Sequence, residues 1–140
     1  MSKLVIPVGG LKLSLAEQIL AWQGASLGLF VQPWTPSISD TLVNYLAIEA
    51  TFPGYQREPV YNWSPPVQDG NTPPGVVSAA VPCLFRRSLS GPVQNVYGVF
   101  MVDAVGNLRW AQVDDNAPVP LSQVGDPYTW TPTWDRQYQT

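Results

Sequence analysis

Proline or glycine interrupts the chain at short intervals from end to end, and this restricts the fold more than any other feature. The 140 residues include 15 prolines and 11 glycines. Proline removes a backbone donor and breaks helices and central strands. Short strands joined by turns are what such a chain can form. The length suits one domain with a real core.

Two short helices are predicted in the N-terminal third. Residues 14–24 carry a capping box, with Ser14 as N-cap and Glu17 three residues on. Leu15, Ile19 and Trp22 recur there at helical spacing, and Gly24 suits the C-terminal cap. Residues 40–47 form the second, capped by Ser39 or Asp40, with Leu42, Tyr45 and Leu46 on one face. It ends before the turn Phe52-Pro53-Gly54-Tyr55.

Strands are predicted over residues 27–32, 57–63, 76–85, 96–102, 108–113 and 128–134. Residues 64–75 carry four prolines and two glycines and read as an exposed loop. The run 76–85 tolerates Pro82 only at an edge or a bulge. Strands 96–102 and 108–113 form a hairpin, with Gly106-Asn107 supplying positive-φ positions in the turn. In the last strand, Pro132 suggests an edge. There is no alternating βα rhythm. The expected fold is therefore mainly β: an antiparallel β-sandwich or barrel-like domain with one or two short N-terminal helices. It spans residues 11–134, between an N-terminal arm at 1–10 and a C-terminal tail at 135–140.

The side-chain inventory excludes several chemistries. The chain has no histidine and one cysteine, Cys83. Ser-His-Asp and Cys-His catalysis are ruled out, as are His-ligated zinc and thiolate clusters. Cys83 lies in the apolar run Val81-Pro82-Cys83-Leu84-Phe85 and reads as a small buried hydrophobe. Ten carboxylates are present, but no catalytic pair stands out. Asp40 reads as a cap and Asp103 as the first residue of a turn. Asp114-Asp115-Asn116 lacks the spacing of a calcium loop. No catalytic, cofactor or metal residues are assigned. The net charge is −3 and the seven cations are scattered, which argues against nucleic-acid binding. No apolar run approaches the ~20 residues of a membrane-spanning helix. The N-terminus lacks the features of a signal peptide. The expectation is synthesis in a cytoplasm, and departure from it only within or upon a particle.

Charged residues make up 12 % of the chain, against ~25 % in ordinary globular proteins. A sparsely charged surface suits a chain partly covered by partners. Six tryptophans and six tyrosines are present. Trp22 and Trp110 read as core. Trp34, Tyr55, Trp63, Trp130, Trp134 and Tyr138 stand beside prolines, turns or the terminus. Three uses are open to them: plugging a small β-core, anchoring an interface, or stacking on sugars. In the arm, Leu4-Val5-Ile6-Pro7-Val8 precedes Gly9-Gly10 and could add to a neighbour's sheet edge. The interface candidates are Val5, Ile6, Trp34, Tyr55, Trp63 and Trp134.

A family pattern spans residues 27–113. Leu27-Gly28-Leu29-Phe30 is followed by Thr41-Leu42-Val43-Asn44-Tyr45, then by Ala50-Thr51-Phe52-Pro53-Gly54-Tyr55 and Trp63. Tyr97-Gly98-Val99-Phe100-Met101-Val102-Asp103-Ala104 and Gly106-Asn107-Leu108-Arg109-Trp110-Ala111 close it. This order resembles small structural proteins of tailed phages, among them head decoration (cement) proteins. The resemblance carries no catalytic residue. It implies a virion component on the capsid surface that binds the major capsid protein, as a homo-oligomer with a trimer favoured. Such a clamp gains affinity from multivalent contact. The alternative is a receptor- or carbohydrate-binding module of a tail fibre or baseplate. A hydrolase using two carboxylates is the third, weakest reading.

Overall fold

The computed structural model describes residues 15–20, 22–68, 70 and 75–136, with only the backbone of residues 135 and 136. Helix α1 covers residues 15–20 and α2 covers Leu42–Leu46. Strand β1 is Ser26–Phe30, β2 Glu58–Pro59, β3 Val67–Gln68, β4 Val76–Ala79, β5 Cys83–Arg86 and β6 Gln94–Val96. Strand β7 is Gly98–Val102, β8 Leu108–Val113, β9 Val119–Leu121, β10 Pro127–Trp130 and β11 Thr133–Arg136. The fold is mainly β with two short helices and antiparallel pairing throughout, a sandwich-like arrangement as the sequence predicts.

The central sheet has the order β2-β1-β7-β8. Both of its faces are covered, so β1 and β7 read as nearly continuous apolar runs. Leu27, Leu29, Val99 and Met101 face the main core, beside Phe52, Phe85, Val96 and Leu121. Phe30, Phe100 and Val102 point the other way, onto Tyr45 of α2. The period of two thus splits one sheet between two apolar layers. Burying a residue such as Phe100 is worth roughly 1.5–3 kcal/mol. Each strand of the β1–β7 pair has one glycine where the other has phenylalanine: Gly28 faces Phe100 and Phe30 faces Gly98.

A corner connects two smaller sheets. β4 pairs with β11, and β5 pairs with β10. Between the two pairings, residues 80–82 oppose residues 131–132, one residue more on the first strand. That is the count of a bulge. The ladder is bridged there by Ala80 N donating to Pro132 O at 2.8 Å. Pro82 and Pro132 both fall in this break, where neither needs to donate to the ladder. The remaining pair, β6 with β9, continues from the central sheet past Tyr97, whose backbone bonds Phe30 O and Asp114 N.

Several expectations need correction. The run 76–85 is not one strand, because Pro82 turns the chain at the bulge. The run 128–134 likewise divides at Pro132, which is fully buried and falls between β10 and β11, each an edge strand of its sheet as the proline suggests. Val96 belongs to β6, separated from β7 at Tyr97. Of 57–63, only Glu58–Pro59 joins a ladder. The N-cap of α2 is Thr41, not Ser39 or Asp40, and its N–H donates to Asn44 Oδ1 at 2.8 Å. Within the first predicted helix, residues 15–20 are helical while 22–24 form a turn, with Gly24 at φ 81°. In the hairpin, Gly106 has φ 92° while Asn107 does not adopt positive φ. β11 runs to Arg136, one residue past the expected start of the tail. Ser14, Val5 and Ile6 lie outside the described residues.

Candidate interaction surfaces

Most hydrogen-bonded acidic side chains organise loops. Asp40 accepts from Trp34 Nε1 at 3.0 Å, Ser37 N at 3.0 Å and Tyr45 Oη at 2.8 Å. The indole bond is the main cause that holds its carboxyl below the usual aspartate range. Asp103 accepts from Asn107 N at 2.9 Å, Val105 N at 3.0 Å and Arg109 Nε at 2.7 Å. Its pKa is lowered too, first by the Asn107 backbone bond. Asp126 accepts from Ser122 N and Gln123 N. Glu49 takes a two-point bond from Arg57, at 2.9 and 3.0 Å. Among the described residues, no group of three or more His, Cys, Asp or Glu is placed to hold a metal ion. No helix among them is long and apolar enough to cross a membrane.

Asp40 and Asp103 fix the two walls of a surface cleft. One wall is the loop leading into α2, and the other is the β7–β8 hairpin. Pro36, Ile38 and Tyr45 face Leu108, Arg109 and Ala111 across about 370 Å³. The cleft continues between Thr41–Val43 and Gly106–Leu108. Ile38 is 108 % exposed, Val105 81 % and Val43 72 %, with Leu46 also exposed. Aliphatic side chains this open gain nothing from the fold, and two of them, Ile38 and Val43, line the two parts of the cleft and give it an apolar rim. The sequence carries a local signal for them. Ile38 stands between two serines, and Val105 sits inside a hairpin turn, where no core is within reach.

A second cleft, about 430 Å³, opens where the turn after α1 meets residues 60–63. Trp22 and Val60 form its buried floor, with Gln23, Tyr61 and Asn62 exposed around it. Three backbone bonds stitch the segment down: Val60 N to Ala25 O, Val81 N to Tyr61 O, and Ser64 N to Ala79 O. Asn62 lies between those anchors at φ 55°, a conformation that asparagine tolerates better than most residues. The turn at Gly24 lies against the hairpin, where a Cβ on Gly24 would sit 3.0 Å from Ala104 Cβ.

The predicted interface residues are spread among these features and mostly turn inward. Trp34 is half-buried against Tyr45, with ring centroids 6.3 Å apart, and is pinned by Asp40. Tyr55 stacks on Phe85 at 6.1 Å. Its hydroxyl donates to Glu49 at 2.5 Å and accepts from Leu29 N at 3.2 Å. Burial is the first cause that pushes its pKa above the ordinary tyrosine value. Trp63 and Trp134 flank Trp22, at 5.8 and 5.0 Å, and Trp134 continues to Trp110 at 6.4 Å. Trp134 Nε1 donates to Gln18 Oε1 at 2.9 Å, which ties β11 to α1. The indole nitrogens of Trp63 and Trp110 are buried without a hydrogen-bond partner, so packing alone holds those rings. Of the four candidates among the described residues, only Trp63 lines either cleft.

Comparison of the chain with family models, with curated proteins and with solved structures finds no match.

Proposed function

We propose that the chain is a phage capsid decoration protein, which binds the major capsid protein and works as a homo-oligomer, a trimer in the favoured form. The single observation that carries this reading is the exposed apolar rim of Ile38 and Val43 along the cleft between the α2 loop and the hairpin. Asp40 and Asp103 lock the loops beneath it, so docking there orders little that is not already ordered. The scarcity of charge supports the same reading, because an apolar contact core depleted of charge is what interfaces favour. The resemblance in residues 27–113 supplies the particle. No bond-making step is required. Stabilisation comes from spreading weak contacts over many copies.

Cryo-EM of the particles that incorporate the chain tests this. Density repeated over the shell, with the α2–hairpin rim against the capsid subunits, is the expected result. A few copies confined to the tail would move the chain to a tail-fibre or baseplate role. Absence from every particle would remove both.

A further inference from the structure

We infer that the cleft between the α1 turn and residues 60–63 binds a neutral pyranose ring of a glycan. Its volume of about 430 Å³ falls within the ~300–1,000 Å³ of small-ligand sites. Among the described residues, none that lines it is charged, which disfavours an ionic ligand. Aromatic surface comes from Tyr61, half exposed, and from Trp63 and Trp22 behind it. The polar groups at the rim are the amides of Gln23 and Asn62. Each amide both donates and accepts, as does each sugar hydroxyl, while the C–H face of a pyranose is apolar and suits an aromatic platform.

A polyproline peptide also docks on aromatic surface, yet its backbone offers carbonyl acceptors only, which leaves the acceptor oxygens of two amides unused. The backbone bonds on either side of Asn62 hold the rim in place before any ligand arrives, so little ordering opposes binding. This assignment does not depend on where in a particle the chain sits.

Calorimetric titration of the full chain tests it, with gluco-, manno- and galacto-oligosaccharides, their uronic-acid counterparts, and a polyproline peptide. Saturable binding of at least one neutral oligosaccharide is expected, with its uronic counterpart weaker. Tyr61→Ala should weaken binding about tenfold or more. Asn62→Gly keeps the positive φ while removing the amide, and should also weaken it. Leu89→Ala, outside the cleft, should leave binding unchanged. The inference is overturned by no neutral sugar binding at millimolar concentration, by binding that both cleft variants leave intact, or by capture of polyproline alone.

Discussion

The side chain of Phe100 occupies the space that a side chain on Gly28 would need. The two are register partners in β7 and β1, and a Cβ on Gly28 would stand 2.5 Å from Phe100 Cζ. The same ring lies 5.2 Å from Tyr45 and carries the Arg57 guanidinium 5.5 Å from its centroid. Phe30 covers Gly98 in the reciprocal way. Two bare glycines let two rings lie flat on the sheet, and α2 packs on top of them.

Gly28→Ala should therefore destabilise the protein by about 1–3 kcal/mol through overpacking. Combining it with Phe100→Leu should cost less than the sum of the single changes, because the two positions share one space. Urea denaturation of the four proteins measures this. Simple additivity would contradict the packing described.

Asp103 should make the hairpin acid-sensitive. Its folded pKa is depressed, so the unfolded chain binds the proton first as pH falls. Its contribution is complete above about pH 4 and is lost as pH drops through the lower folded value. Asp103→Asn should flatten the acid limb of a stability-versus-pH curve, compared with the parent. An unchanged slope would show that the three bonds to this carboxylate contribute nothing.

Cys83 should be chemically silent in the folded chain. Burial first, then the charge of Glu58, pushes its thiol up to about 11, and Sγ faces Pro59 O at 3.6 Å. Reaction with a disulfide reagent near about pH 8 needs thiolate and access, so labelling should await unfolding. Rapid stoichiometric labelling of the native protein would refute this.

Arg87 should be among the costliest surface-loop residues to lose. It is 3 % exposed, with Nε donating to Leu89 O and Nη1 to Pro92 O and Leu121 O, at 2.7, 2.8 and 2.8 Å. Arg87→Ala leaves buried carbonyls unpaired and should cost about 3 kcal/mol, with Arg87→Lys in between. Thermal unfolding reads both.

Ile38→Asp and Val43→Asp should leave stability within about 0.5 kcal/mol, since both sites are open to water. If the rim is the docking surface, both variants should fail to join particles in a co-sedimentation assay. Normal incorporation would place the contact elsewhere.

The local parts of this fold were legible and the long-range parts were not. The β7–β8 hairpin follows from alternation and a glycine turn, both readable within twenty residues. The corner was half legible: Pro82 announced an edge or bulge, but only its pairing with the break at Pro132, some fifty residues on, makes a corner. Tyr55 shows the harder limit for sites. Its place beside a turn suggested an exposed anchor, while the partners that draw it inward, Leu29 and Phe85, stand 26 and 30 residues away in opposite directions. Arg87 was legible in principle. Cys83, Phe85 and Arg87 share the inward parity of β5, so the period of two places a cation inside. Nothing local says that carbonyls await it.

That guanidinium has a consequence for conditions in which the protein would hold together. It gathers carbonyl oxygens from two loops as a bound calcium ion would, but it is tethered covalently to one of them. The loop pair at 87–93 and 121–126 should keep its shape in chelator and in calcium-free medium alike, with no dependence on what the surrounding fluid supplies.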